Sequence, residues 1–147
     1  MLKKKINKPK QIIGKRILVD FPELDISGIV AKIDTGTYTN TLHCYNFYTK
    51  KENGKKILCF QVLDPTHSTF NEQEHCFSEF KKKKIKNSFG EVEERYVIKT
   101  KIRIAGRMIK SIISLTDRAD MRYPVLIGRR LLKKKFIVDV AEINIYD

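Results

Sequence analysis

Alternation of hydrophobic and polar residues is strongest over residues 95–115. Hydrophobic and polar side chains alternate along two arms of this segment, and Ala105-Gly106 between the arms is a compact turn signal. Because a period of two places alternate side chains on one face of a strand, the pattern predicts an antiparallel hairpin with one buried face. The buried-face positions are Tyr96, Ile98, Thr100, Ile102, Ile104, Ile109, Ser111, Ile113 and Leu115.

Shorter segments with β-type composition occupy much of the remaining chain, and turn-forming residues separate them. One short helix is predicted at about residues 129–134, where Leu131 and Leu132 lie between basic residues directly after Gly128. The predicted fold class is therefore all-β, with this one short helix. The predicted strands are 15–20, 28–33, 41–48, 57–63 and 136–145, and the turn signals are Pro22, Gly28, Asn53-Gly54 and Asp64-Pro65.

The length of 147 residues is typical of one domain. We expect a basic N-terminal tail over residues 1–11 and a single folded domain over residues 12–147. The basic start contains no long apolar segment, which indicates neither a secretory signal nor a membrane span and favours a cytoplasmic location without a membrane partner. The chain has three cysteines, an odd number, and they lack CxxC spacing, so free thiols are expected at Cys44, Cys59 and Cys76.

Lysine runs at residues 3–5, 81–84 and 133–135 contribute to a formal charge of +13. Such a charge attracts nucleic acid, an acidic protein or a polyanionic peptide, although solvated lysines from compositional bias would give the same value. Aromatic residues do not interleave with the runs as base-stacking platforms would, so nucleic acid is not the expected partner. The polar, irregular stretch 65–86 is predicted to be an excursion from the sheet.

Asp34-Thr35-Gly36 ends one predicted strand and is followed far downstream by Leu126-Ile127-Gly128. Aspartic peptidases use two carboxyl groups about 3 Å apart that share a proton, and each half-site presents its carboxylate on a tight turn. Gly36 can bring a backbone amide to the carboxylate, and the Thr35 hydroxyl can brace the turn. An ordinary β-turn would produce the same tripeptide. The sequence contains one such half-site.

Several ordered blocks around the tripeptide resemble a known family. In these blocks the chain is similar to the retropepsin-like family named for ATP-dependent zinc proteases of the RimB and RimK-associated type. The resemblance covers nearly the whole chain, about residues 12–145. The blocks are 29–36 with Thr39, Leu42 and His43; 95–98 with Thr100, Gly106 and Arg107; 115–116 with Arg118, Asp120 and Met121; and 126–129 with 136–139.

The resemblance implies a pepsin-like closed barrel and an aspartic endopeptidase activity. It also implies a homodimer, in which each subunit contributes one Asp34 to a shared dyad. Leu126, Ile127 and Gly128 would pack beneath the catalytic turn, and Arg129 would form an ion pair or a dimer contact. The family further suggests a RimK-type ATP-grasp glutamate ligase as partner and a peptide or protein substrate, for which an acidic, glutamate-rich tail is one candidate.

A glycine-tipped segment, Ser88, Phe89 and Gly90, lies between the two motifs, where a flap over a substrate cleft would be found. An ordinary surface turn is the alternative. The chain departs from the family pattern at Thr37, Tyr38, Asn40 and Ala119, and these departures keep a second hypothesis open. In it the domain is a catalytically silent, monomeric binding module that regulates a ligase or another acidic partner.

Histidines and cysteines at five positions are competent zinc ligands, but no HExxH or CxxC spacing is present. Adjacent residues on a strand point to opposite faces, so each His-Cys pair offers one ligand easily. We therefore expect no metal centre, and the absence of a GxxxxGK[ST] loop indicates that ATP is not bound by this chain. Asp120 and Asp139 are secondary candidates for supporting the site. The possible zinc ligands are His43, Cys44, His67, His75 and Cys76.

Overall fold

The computed structural model describes residues 9–87, 89–117 and 122–144, and the predictions for Ser88, Arg118, Ala119, Asp120 and Met121 lie outside them. The described chain is mostly β-strand with one short α-helix, which confirms the predicted fold class. The strands are β1 Gln11–Ile13, β2 Arg16–Phe21, β3 Ile26–Ile33, β4 Asn40–Glu52, β5 Lys55–Val62, β6 Glu74–Phe77, β7 Lys81–Lys86, β8 Val92–Ile104, β9 Arg107–Thr116, β10 Val125–Ile127 and β11 Phe136–Val138.

The main sheet closes on itself through β10. This short strand pairs in parallel with β3 and antiparallel with β4, so the strands follow one another around a ring in the order β10, β3, β2, β8, β9, β4. Strands β5 and β6 extend the sheet from β4, β7 pairs with β8, and β1 forms a separate parallel pair with β11. Large aliphatic and aromatic side chains form the core, including Phe21, Leu24, Leu42, Phe60, Ile98, Ile102, Ile113 and Ile127.

The predicted hairpin is formed by β8 and β9, with Ala105 and Gly106 in the turn. The predicted strand over residues 136–145 is too long. Strand β11 ends at Val138, because Asp139 begins a turn in which its carboxylate accepts the Ala141 N–H and its carbonyl accepts the Glu142 N–H. The prediction of a turn at Gly28 is also wrong, since this residue lies inside β3, where its N–H donates to the Asp20 carboxylate.

The lysine-rich segment 81–86 forms a strand, so its prediction as an irregular excursion is wrong. Strand β7 pairs antiparallel with β8, and the register places Lys84 opposite Glu94. The ammonium group of Lys82 lies 5.3 Å from the centre of the Tyr96 ring. The strand thus pairs its lysines with acidic and aromatic positions on β8, which a reading of the segment alone cannot reveal.

Cys59 and Cys76 are register partners on β5 and β6 and form a disulfide, whereas the buried Cys44 is a free thiol. The prediction of three free thiols is therefore wrong for the first two residues. No motif links the two cysteines, which lie 17 positions apart, and only the strand register brings them together.

The predicted helix is observed as α1, Arg129–Leu132, slightly shorter than expected. Leu131 and Leu132 are buried, and the helical path ends at Lys133, whose ψ of 129° is extended. No helix in the described part of the chain is long and apolar enough to cross a membrane.

Candidate functional site

Asp34 lies at the end of β3 on a tight turn that the neighbouring strand β10 supports. Its backbone N–H donates to the Ile127 carbonyl at 2.8 Å, continuing the parallel pairing of the two strands. Its side-chain Oδ1 accepts the Gly36 N–H at 3.0 Å, and the Thr37 N–H donates to its carbonyl at 3.3 Å. The carboxylate is half-buried and is held in place by the turn that follows it.

The hydroxyl that contacts the turn belongs to Thr37. Thr37 Oγ1 lies 3.4 Å from the Asp34 carbonyl oxygen, while Thr35 is exposed and contributes its own carbonyl to Arg129. The bracing role that the sequence suggested for the Thr35 hydroxyl is therefore taken by a residue at which the chain departs from the family pattern. Its hydroxyl adds a contact to a turn that the Thr37 backbone N–H already closes.

Gly128 supports the turn from below at a distance that only glycine permits. A Cβ atom at this position would lie 2.7 Å from the Tyr38 carbonyl oxygen and 2.9 Å from the Thr37 carbonyl oxygen, well inside contact distance. The Gly128 N–H donates to Asn40 Oδ1, and the Asn40 amide nitrogen donates to Ser111 and to the Ile112 carbonyl, each at 3.0 Å. Asn40 is fully buried, so it links β4, β9 and β10 beneath the site.

The start of α1 completes the support. The backbone N–H groups of Arg129 and Arg130 donate to the Thr37 and Tyr38 carbonyls at 2.9 and 3.0 Å. The Arg129 side chain donates to the Thr35 carbonyl at 2.8 Å. The guanidinium groups of Arg129 and Arg130 both lie within 6 Å of the Tyr38 ring centre. Ile127, Gly128 and Arg129 contact the turn directly, and Leu126 of the same motif lines the cleft beside it.

A cleft of about 660 Å³ lies beside the turn. Its wall contains Gly36 and Thr37 but not Asp34, and none of its described lining residues is acidic. The cations around it come from several elements, so the cleft presents a positive surface. Its lining comprises Lys32, Gly36, Thr37, Tyr38, Thr39, Thr41, Lys84, Ile85, Lys86, Asn87, Gly90, Arg95, Arg122, Tyr123, Leu126 and Arg129.

The predicted flap is the tip of the β7–β8 hairpin, and it borders this cleft. Asn87 and Gly90 line the cleft, while Phe89 at the tip is 79% exposed. Asn87 Oδ1 accepts the N–H groups of Phe89 and Glu91, each at 3.0 Å, and Gly90 has a φ of +82° that suits glycine. Ser88 lies outside the described residues. The position fits a flap, and its movement stays a prediction.

A family model described as RimB-like, retropepsin-like aspartic endopeptidase RimB, matches residues 12–147. The chain belongs to the RimB-like family. The resemblance inferred from the ordered sequence blocks is confirmed.

Among curated relatives of this RimB-like domain, a "Probable alpha-L-glutamate ligase" from Shewanella halifaxensis is 34% identical over 134 residues. A protein of the same name from Desulfotalea psychrophila is 32% identical over 133 residues. The match covers 90% of the chain in both cases, but only 29% and 28% of the relatives. The RimB-like domain therefore spans less than a third of the length of these relatives.

The crystal structure of Lpg0085, a Legionella pneumophila protein of unknown function, has the same fold. It superposes with a TM-score of 0.70 at 24% sequence identity, covering 92% of this chain and 98% of that one. At this identity the likeness supports the architecture of the RimB-like domain and nothing about its activity.

Arg95 supports the cleft wall, and the sequence analysis did not select it as a site residue. Its buried guanidinium donates to Thr41 and Ser114 hydroxyls at 3.2 and 3.3 Å and pairs with Glu93 at 3.0 Å. An arginine in an alternating strand resembles a solvated residue, so only its partners on β4 and β9 show that it is built into the barrel. A buried polar network of this kind fixes the strands that flank the cleft.

A second group of polar residues, which the sequence search for metal ligands did not assemble, surrounds Asp64. His43 Nε2 lies 2.6 Å from Asp64 Oδ2, and His67 Nε2 lies 3.7 Å from the same oxygen. The pKa of the Asp64 carboxyl is lowered to about 2, mainly by the hydrogen bond from the Thr66 hydroxyl and also by hydrogen bonds from His43 and the Thr66 N–H, while burial opposes the shift. The DxxH spacing of Asp64 and His67 was the available signal.

Proposed function

We propose that the RimB-like domain is one half of an aspartic endopeptidase, and that two copies form the active enzyme with one Asp34 from each. The observation that carries the proposal is the position of the Asp34 carboxylate. It stands on a turn whose Gly36 N–H binds it, above the Ile127-Gly128 support. One chain supplies a single such carboxylate among its described residues, so a dyad requires a second copy.

In this dimer the two carboxyl groups would share one proton because two like charges about 3 Å apart cannot both ionise. The ionised carboxylate takes a proton from a water molecule, whose oxygen attacks the scissile carbonyl carbon. The protonated partner gives its proton to the carbonyl oxygen. Collapse of the tetrahedral intermediate then breaks the C–N bond as a proton passes to the leaving nitrogen.

We infer an acidic peptide segment as substrate, because cations on separate elements surround the cleft. Lys32 lies on β3, and Arg129 begins α1. Lys84 and Lys86 lie on β7, the strand that leads to the predicted flap. Side chains fixed on different elements can contact successive carboxylates of an extended chain. The name of these relatives, "Probable alpha-L-glutamate ligase", agrees with a glutamate-rich segment.

The test compares three peptides of equal length, made of glutamate, glutamine or lysine, with wild-type protein and Asp34→Asn. We expect cleavage of the glutamate peptide alone, and a loss of at least about 100-fold in Asp34→Asn, in line with the contribution of a positioned acid or base. Light scattering on the same samples should give the mass of a dimer. Undiminished cleavage by a pure Asp34→Asn preparation would refute the assignment.

The relatives also support a second function, because in them this domain accounts for under a third of a protein named as a ligase. In this alternative the domain is a catalytically silent module that binds glutamate-containing chains for a ligase. A monomer at all concentrations that binds the glutamate peptide without cleaving it would favour the module. A dimer that cleaves the peptide would favour the peptidase.

A further inference from the structure

His43, Asp64 and His67 form a compact group that the peptidase proposal does not use. His43 is on β4 and is 1% exposed, whereas Asp64 and His67 belong to the turn after β5. One ligand atom from each of the three lies within 4.8 Å of the other two. Two imidazole nitrogens and one carboxylate oxygen therefore converge at the same point.

Neighbouring groups orient two of these ligands, as they do at metal sites. His43 Nδ1 lies 3.2 Å from the Thr116 carbonyl oxygen, and this contact orients the ring with Nε2 toward Asp64. The hydroxyl and the backbone N–H of Thr66 both donate to Asp64 Oδ1, and this leaves Oδ2 directed toward the two histidines. His43 and Asp64 thus each direct one ligand atom toward the site while a second atom of the same side chain is held by a hydrogen-bond partner.

The chemistry and spacing of the group suit a zinc-type ion. Zinc accepts two histidines and a carboxylate with one position left open, at metal–ligand distances near 2.0–2.2 Å, which places neighbouring ligand atoms about 3.3 Å apart. The observed separations of 2.6 and 3.7 Å bracket that value, so small side-chain movements would bring all three into place. His67 is 27% exposed and provides a route from solvent.

We propose that His43, Asp64 and His67 bind a divalent ion of the zinc class, which ties the turn after β5 to β4. The inference goes beyond the peptidase function. It is independent of Asp34, so the two proposals can fail separately.

A second group, Cys59, Glu74 and Cys76, also brings three possible ligand atoms together. Its two sulfur atoms are joined in the disulfide. The experiment must separate this group from the histidine group, and the variant Glu74→Gln/Cys76→Ser removes two of its ligands at exposed positions.

The experiment uses the full chain, first stripped with a chelator and then incubated with Zn²⁺ and desalted without reductant. We expect one zinc per chain by elemental analysis in wild type and in Glu74→Gln/Cys76→Ser. We expect binding more than about 100-fold weaker in His67→Gln, since loss of a supporting partner alone costs roughly 10–100-fold. Thr66→Val, which removes one such partner, should weaken binding about 10-fold.

Two further measurements test zinc binding at these residues independently. Zn²⁺ should raise the unfolding temperature of wild type and not of His67→Gln, whose fold is checked by circular dichroism. Co²⁺ should give a visible spectrum without a thiolate charge-transfer band. The proposal is overturned if wild type retains no zinc, if His67→Gln binds zinc as tightly as wild type, or if a thiolate band appears.

Discussion

Two aspartates follow strands of the same barrel and have opposite surroundings. Asp34 is half-buried and accepts one side-chain hydrogen bond from the Gly36 N–H in the described structure. Asp64 is buried, and its carboxylate contacts His43, Thr66 and His67. A carboxylate with unused lone pairs suits a site completed by a second molecule. One that is satisfied inside its own chain suits a role in stability.

The comparison shows that residue type and position at a strand end do not determine what an acid does. The neighbours decide it. Around Asp34 they are mostly backbone groups that fix the position of the carboxylate and leave it accessible, whereas around Asp64 they are side chains that enclose it. Substitutions at the two aspartates should therefore separate activity from stability.

The largest contrast is expected between Asp64→Ala and Asp34→Ala. Removing Asp64 takes away the carboxylate that lies 2.6 Å from the buried His43 Nε2, and should lower the free energy of unfolding by about 3–5 kcal/mol. Removing Asp34 should change it by no more than about 0.5 kcal/mol. Urea unfolding of the chelator-treated proteins measures both values. Equal losses for the two variants would contradict the division of roles.

An intermediate effect is expected from Gly128→Ala, which places a methyl group against the Tyr38 and Thr37 carbonyls. Overpacking of this kind costs about 1–3 kcal/mol, and here it also displaces the turn that carries Asp34. Stability and peptide cleavage should therefore fall together. The control is Gly106→Ala in the hairpin turn, where a Cβ meets no atom within 4 Å and φ is +75°; it should lose some stability and keep its cleavage rate.

The smallest effect is expected from Arg129→Gln, which removes the side-chain hydrogen bond to the Thr35 carbonyl. Loss of one such bond should cost about 0.5–1.5 kcal/mol in thermal or urea unfolding. Arg130→Gln is a matched control, because Arg130 contacts the same Tyr38 ring from the next position of α1. A loss in Arg130→Gln as large as in Arg129→Gln would show that ring contacts, and not the hydrogen bond, support the turn.

Local pattern was sufficient to predict much of the fold. Strict alternation predicted β8 and β9, and the residues after Gly128 predicted α1, because these features depend on neighbours along the chain. The strand at residues 81–86 and the disulfide between Cys59 and Cys76 depend on the register of separate strands. Their partners lie too far along the chain for a local pattern to identify.

The residues of the candidate site also differ in whether the local sequence could identify them. The turn at Asp34 and its support at Gly128 were identified because short motifs mark both of them. Asn40, Arg95 and Asp64 were not identified as members of a site, since each is ordinary in its local sequence and gains its role from side chains on other strands. Buried polar networks of this kind are specified by the assembled barrel.

Strand β10 has only three residues, yet it lies between β3 and β4 and also provides the carbonyl that anchors Asp34. Transient detachment of this strand would leave two neighbouring strand edges with unpaired backbone groups. Inactivation and self-association would then begin with the same local opening, and amide hydrogens of residues 125–127 should exchange in step with that of Asp34.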